Sequence, residues 1–323
     1  MYANATVSEL RVTKPFAAFI LTVTLTGCPS DRIADSTLRG AAVDVPIPMR
    51  DAPPPVLSII TRLRGPESAI HDAAQDVYFI TNLHGGLQTV DNNGFITRVD
   101  AKTLDVQLKW IEGGRNGVTL DAPKGMAIVG ETLWVADIKG VRKFDRRTGQ
   151  PRGLVTLPGA TLINDLTTDG TSVYVSDTGL RVAPGGTFYE TGTDAIWKIT
   201  NDRPEKIAAG AQLLHPNGIE FVDGKVWAVS FGPNELYALD GGNAKTLAHL
   251  PEGQLDGVVR LDDGTVLISS WGGEGIYRGQ PGMRFDPILT GMDAPADIGY
   301  DSKRHRLLVP NSVANQVTIH AVQ

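Results

Sequence analysis

A single cysteine, Cys28, stands in the whole chain, so no intramolecular disulfide and no cysteine-based zinc site is available. No GxSxG, HExxH, GxxxxGK(S/T) or CxxC motif occurs, which removes the main sequence support for several common enzyme classes. Positive charge is in deficit. The 30 Lys+Arg against 36 Asp+Glu leave a net charge of −6 over 323 residues, which argues against a phosphate-backbone binder, so no nucleic-acid partner is expected. The six histidines nowhere fall at metal-ligand spacing.

What is present suits turns and sheets. Glycine (36) and proline (20) are frequent, and 41% hydrophobic residues are ample for a core. Together Gly and Pro stay below the disordered range of roughly 25–30%. Near the N-terminus Arg11 and Lys14 precede an apolar stretch over 16–26, too short to span a bilayer as a finished helix, and Leu25-Thr26-Gly27-Cys28 follows. This pattern resembles a bacterial lipobox. It predicts a lipoprotein signal peptide over 1–27, with Cys28 as the lipidation site. The protein is then exported and held to the membrane by a lipid anchor, on the periplasmic or outer-membrane face of the envelope. Residues 28–54, proline-bearing and without hydrophobic periodicity, read as a disordered tether.

From residue 55 to 323 the chain repeats. Six segments share a mouth residue, a short strand, a turn and a second strand. Their central residues Glu67, Lys124, Asn164, Asn217, Asp256 and Ala296 are separated by 57, 40, 53, 39 and 40 positions. Asp169-Gly170, Asp223-Gly224 and Asp263-Gly264 lie between first and second strands, a strong hairpin signal. Second strands are expected at 77–80, 133–136, 173–176, 226–229, 266–269 and 307–310. Strand-rich repeats of about 40 residues predict an all-β fold, a six-bladed β-propeller with four-stranded blades. The last repeat has room for only three strands. The apolar segment 56–63 has no partner of its own, so it is expected to supply the outer strand of blade six and close the ring.

In this pattern each inner strand starts at one face of the ring, so the six mouth residues converge on the axis. Four of them, Glu67, Asn164, Asn217 and Asp256, offer oxygen. A ring of hard oxygen ligands suits Ca²⁺ or Mg²⁺, and two carboxylates balance a dication. Without a cation between them, Glu67 and Asp256 would repel each other. Two plainer readings compete: Asn-Gly and Asp-Gly as turn chemistry, and a propeller scaffold without metal. Lys124, at the second mouth position, would bind an anionic substrate or offset Glu67.

At Gly65-Pro66-Glu67-Ser68, Ile163-Asn164-Asp165, His215-Pro216-Asn217-Gly218-Ile219 and Leu255-Asp256-Gly257 the chain resembles the senescence-marker/gluconolactonase/regucalcin family. It is also similar to the related diisopropyl-fluorophosphatase and paraoxonase propellers. The resemblance covers about residues 56–323. It implies that Glu67, Asn164, Asn217 and Asp256 hold one catalytic divalent ion, usually calcium, with magnesium, zinc or manganese as other candidates. It also implies hydrolysis of a small-molecule lactone or related ester. Asp256 is similar to the residue proposed in relatives as nucleophile or general base, although a bound cation weakens a carboxylate as a base. Asp165 and Asp297 stand one residue beyond their mouth positions and are alternative bases. The insertion 177–194 departs from the family pattern and would bring Arg181, Phe188 and Tyr189 over the mouth. His84, on the first-blade loop, and His215, two residues before Asn217, complete the substrate-binding candidates with Lys124. The competing function is a non-catalytic calcium-stapled propeller that acts as a binding or scaffold lipoprotein. A monomer is expected.

Overall fold

Each of the three Asp-Gly pairs between first and second strands marks a chain reversal. Between Pro216–Val222 and Lys225–Ser230, Asp223 and Gly224 both take left-handed backbone, φ 48° and 82°. That is the two-residue turn whose twist matches the strands it joins. Gly170 and Gly264 adopt φ 87° and 85° in the corresponding hairpins. The computed structural model describes residues 9–10, 52–183 and 186–322. It arranges these hairpins as six four-stranded antiparallel sheets, the predicted six-bladed propeller. Cys28, the rest of the expected signal segment and the tether up to residue 51 lie outside the described residues.

Blade one runs outward from the axis as Pro66–Asp72, Val77–Asn82, Phe95–Asp100 and Val106–Glu112. Blades two to five repeat this order with inner strands Met126–Val129, Ile163–Thr168, Pro216–Val222 and Leu255–Arg260. Blade six, with inner strand Gly299–Asp301, takes its outer strand from the other end of the chain. Val56–Ile60 pairs antiparallel with Gln316–Ala321, Ile60 opposite Val317. The ring therefore closes as the partnerless apolar segment requires.

The core lies between blades. Six apolar clusters fill the six gaps, each drawing side chains from two neighbouring sheets. Side chains alternate faces along a strand, so Tyr78 enters the gap toward blade six while Phe79 enters the gap toward blade two. Both faces of a second strand are buried, which is why these strands read as continuous apolar runs. Ile60 and Leu63 lock the closing segment into the gap between blades six and one, where full burial of such a side chain contributes about 1.5–3 kcal/mol. Trp134, Trp197 and Trp227 pack between blades. Lys143 and Lys206 stand 5.4 and 4.7 Å from the ring centres of Trp134 and Trp197.

A seventh cluster sits over the ring's mouth rather than between blades. Leu162, Leu180, Phe188 and Phe231 form it, with Leu87, Val182 and Trp271 packed against them. Leu180 and Phe188 belong to the insertion, which folds as a hairpin of Leu180–Val182 and Phe188–Glu190 between the second and third strands of blade three. The backbone of Glu9–Leu10 pairs on the hairpin's outer edge, a contact that cleavage of the expected signal peptide would remove.

Candidate metal centre

Four inner strands carry an irregularity at the same place. Against its second strand, each holds one extra residue: between Pro66 and Ala69, Ile163 and Leu166, Pro216 and Ile219, and Leu255 and Val258. Such a bulge bends the strand and re-aims its side chains. The residues inside these four bulges are Glu67, Asn164, Asn217 and Asp256, each with its follower. In three blades a hydroxyl takes up the N–H that the bulge frees. Thr81 accepts from Ser68 N at 2.9 Å, Ser176 from Asp165 N at 2.9 Å and Ser269 from Gly257 N at 2.7 Å.

The glycines beside the ligands serve close approach, not turns. Neither Gly218 nor Gly257 is among the glycines with positive φ. A Cβ on Gly218 would lie 2.1 Å from the Asp256 carbonyl oxygen, and one on Gly257 would lie 2.4 Å from Ile298 N. Neighbouring inner strands thus touch along the axis, which draws the four mouth side chains together. Asn-Gly and Asp-Gly here are not turn chemistry.

Glu67, Asn164, Asn217 and Asp256 wall one small cavity with Leu87, Leu162, Thr178, Phe188, Phe231 and Trp271. Its volume is about 20 Å³. That is room for one water or one ion. Asn164 Nδ2 donates to Asn217 Oδ1 at 2.5 Å and to Thr178 Oγ1 at 3.1 Å, and Asn217 Nδ2 donates to the Leu255 carbonyl at 3.2 Å. Glu67 Oε2 is buried with no hydrogen-bond partner.

The electrostatics are those of buried carboxyls crowded around one point. Burial pushes the Glu67 carboxyl well above its ordinary range, Asp256 and Asp297 push it further, and Lys124 opposes them. Asp256 is raised by burial and then by Asp297. The Trp271 indole lies close enough to favour the Asp256 charge, but its N–H makes no aligned hydrogen bond. Leaving two carboxyls at 4% and 3% exposure without hydrogen-bonded counter-charge is unfavourable. An oxygen-seeking divalent ion relieves the repulsion and satisfies the orphaned oxygen, so the residues present fit such an ion. Among the described residues no three His, Cys, Asp or Glu side chains gather as a metal cluster. The two amides are therefore indispensable to any metal site here, with the Asn164 amide turned over to present its oxygen.

A second cavity of about 290 Å³ follows further along the channel, walled in part by Asp165, Glu220 and Asp297. Asp165 belongs to that space. Its carboxylate accepts from Ile219 N at 2.7 Å and Leu166 N at 2.6 Å, and burial and Asp297 raise its pKa. Asp297 accepts from Ser68 Oγ at 2.5 Å, and burial pushes it up to about 7. Glu220 is pushed up to about 8, by burial and then by Asp297.

The expected substrate residues do not share the small cavity's wall. Lys124 is 1% exposed, and its ammonium donates to the Ala122 carbonyl at 3.0 Å. Burial lowers its pKa, while Glu67 and Asp137 act against that. It is an internal counter-charge near Glu67. Arg181 is exposed and Tyr189 half-buried on the hairpin. His84 Nδ1 donates to the Asn93 carbonyl, 3.0 Å away, beside a separate surface hollow with Arg62, Arg64 and Lys109. His215 clamps the hairpin's base, with Nδ1 2.9 Å from Asp194 Oδ1 and Nε2 3.6 Å from Glu190. Burial works against its charge, but Asp194, the Thr178 carbonyl and Glu190 raise its pKa overall. Of Arg181, Phe188 and Tyr189, Phe188 alone reaches the cavity.

The wall residues Leu87, Leu162, Thr178, Phe231 and Trp271 went unnoticed in the sequence, yet three of them carry a signal. The last residues of the second strands in blades three, four and five are Asp177, Ser230 and Ser270. The residue directly after each is Thr178, Phe231 or Trp271. Repeat phase selects all three.

Fold and site together define a six-bladed propeller with an oxygen-walled pocket at one end of its axis. No protein-family model matches the chain, and no curated protein matches it. Solved structures do. A gluconolactonase from Xanthomonas campestris matches with a TM-score of 0.61 at 18% identity, over 84% of this chain and 95% of that one. A luciferin-regenerating enzyme matches at 0.61 and 12% identity, over 82% and 95%. A chain of a nidogen/laminin complex matches at 0.53 and 16%, over 67% and 76%. The first two are six-bladed propellers of the senescence-marker/gluconolactonase type. At these identities the likeness establishes the fold.

Proposed function

We propose that the protein is a divalent-metal-dependent hydrolase acting on a lactone or related ester, with calcium as the ion. The observation that carries this reading is Glu67 Oε2, a buried and unpartnered carboxylate oxygen facing a second carboxylate and two amides around an ion-sized space. Glu67 and Asp256 hold the ion through charge, and Asn164 and Asn217 through amide oxygens. When bound, such an ion polarises a carbonyl and stabilises the charge that develops on its oxygen. The chain's own residues do the rest. Leu87, Leu162, Phe188, Phe231 and Trp271 exclude bulk water. The Trp271 indole lies beside the Asp256 carboxyl and favours its charge. Asp256 is the wall carboxylate that takes a proton from the attacking water. In the net reaction one water is consumed: its hydroxyl joins the acyl carbon, the ester C–O bond breaks, and the remaining proton goes to the departing alkoxide oxygen. The likeness to a gluconolactonase supports this reaction class.

A second reading, a non-catalytic propeller stapled by calcium, draws on the size of the pocket. About 20 Å³ admits an ion but no lactone ring until wall side chains move, and a similar propeller occurs in a nidogen/laminin complex. A panel of sugar lactones, alkyl lactones and aryl esters, assayed with calcium and with chelator, separates the two. Turnover that stops on chelation is the expected result. Intact substrates beside a chelator-sensitive melting temperature would assign calcium a purely structural role.

In the same reading a lipid on Cys28 holds the domain to the cell envelope through the tether 28–54. Cys28→Ser is expected to abolish incorporation of a labelled fatty acid; equal labelling of both chains would remove the anchor.

A further inference from the structure

The walls of the small cavity are chemically lopsided. At one end stand two carboxyls and two amides. Everything else facing the space is hydrocarbon or aromatic, apart from the Thr178 hydroxyl, already engaged by Asn164, and the Trp271 indole N–H, buried and unpartnered. The aromatic surface is continuous. Phe188 and Phe231 lie 5.2 Å apart, Phe231 and Trp271 5.4 Å apart edge to face, and Leu180, Leu87 and Val182 pack with them. The side chains able to pair with several hydroxyl groups, Arg181, Tyr189, His84 and His215, are absent from this wall.

We infer that the site takes a lactone or ester carrying a hydrocarbon substituent, alkyl or aryl, and discriminates against polyhydroxylated sugar lactones. This rests on the hydrolase reading for what happens to the ligand, but not for its binding. A ligand ring must displace wall side chains to enter, since the space holds only an ion or a water. A hydrocarbon substituent re-forms the apolar contacts that the displaced side chains lose, and each buried methylene gains roughly fourfold in affinity. A sugar hydroxyl buried against the same wall finds no partner, and each such group loses about tenfold. The single polar end of the ligand, its carbonyl, meets the polar end of the pocket and the Trp271 N–H.

Lactams test the inference without turnover, because the amide replaces the hydrolysable ester. Binding of an alkyl-substituted δ-lactam and of a polyhydroxylated δ-lactam is measured by calorimetry on the calcium-loaded protein. The alkyl lactam is expected to bind at least about tenfold more tightly. Phe188→Ser, with its fold checked by melting, should shrink that ratio; an unchanged ratio in a folded variant would count against the aromatic wall. Equal or tighter binding of the polyhydroxylated lactam, or no binding of either by the wild type, overturns the inference. An alkyl lactam that binds while the matching lactone stays intact upholds it and sinks the hydrolase reading instead.

Discussion

Asp256→Asn is expected to weaken calcium binding by at least about 100-fold, the upper end of what even outer partners of a metal ligand cost when lost, and to remove lactone turnover. The substitution keeps shape and one oxygen donor, so the bulge at Leu255–Val258 and the cavity wall persist. What disappears is one of the two charges that balance a dication, and with it the wall carboxylate that accepts a proton. The chelated variant should be no less stable than the wild type. Asp256 is raised by burial and by repulsion from Asp297, so its ionised form is a burden when no cation is present. Calorimetric titration with calcium, beside a melting curve in chelator, reads both effects. Asp165→Asn is the control. Its carboxylate faces Ile219 and Leu166 N–H groups along the channel, away from the small cavity, and it should leave calcium affinity within a few-fold of wild type. Wild-type affinity in Asp256→Asn would mean that these four side chains are not the metal centre.

Repeat phase made the architecture legible because a propeller places equivalent residues at equivalent radii. Turn pairs such as Asp223-Gly224 located the hairpins, and the missing strand of blade six pointed to the segment 56–63. The same phase picked Glu67, Asn164, Asn217 and Asp256. Phase does not say where a side chain points, however. The four that meet at the cavity sit in bulges, whereas the inner strands of blades two and six begin after Lys124 and Ala296. Lys124 therefore shares the repeat position but turns to the Ala122 carbonyl. The substrate candidates failed to gather for a different reason. The wall is assembled from Leu87, Leu162, Phe188, Phe231 and Trp271, which belong to five separate connections and meet only because the ring is closed. Phe231 and Trp271 follow the repeat phase, but non-local packing leaves no periodicity at Leu87, Leu162 and Phe188. Polar residues on neighbouring connections have the chemistry of a site and instead serve the scaffold, as His215 does in clamping Asp194 and Glu190.

The channel acids also set how stability responds to pH and calcium. Asp297 and Glu220 are pushed up to about 7 and about 8, and Glu67, Asp165 and Asp256 are raised as well, in each case first by burial. A carboxyl with a folded pKa above its unfolded value of about 4 holds its proton longer in the folded state. Stability therefore falls as pH rises between the two values. Asp76 and Asp145 act with the opposite sign, held low by Arg304 and by the Thr148 N–H, but their window lies below about pH 4. Chelated protein should thus melt at a higher temperature at pH 5 than at pH 8. Calcium should reverse the loss by accepting the ionised forms of Glu67 and Asp256. At a hundred times its dissociation constant a ligand adds about 2.7 kcal/mol, which for a domain of this size is about 5 °C. The gain should be largest at pH 8 and shrink toward pH 5, where protons compete for the same oxygens. Scanning calorimetry at both pH values, with calcium and with chelator, gives the four melting temperatures. A chelated protein that is more stable at pH 8 than at pH 5, or a calcium effect independent of pH, would mean that the buried acids are not what the ion meets.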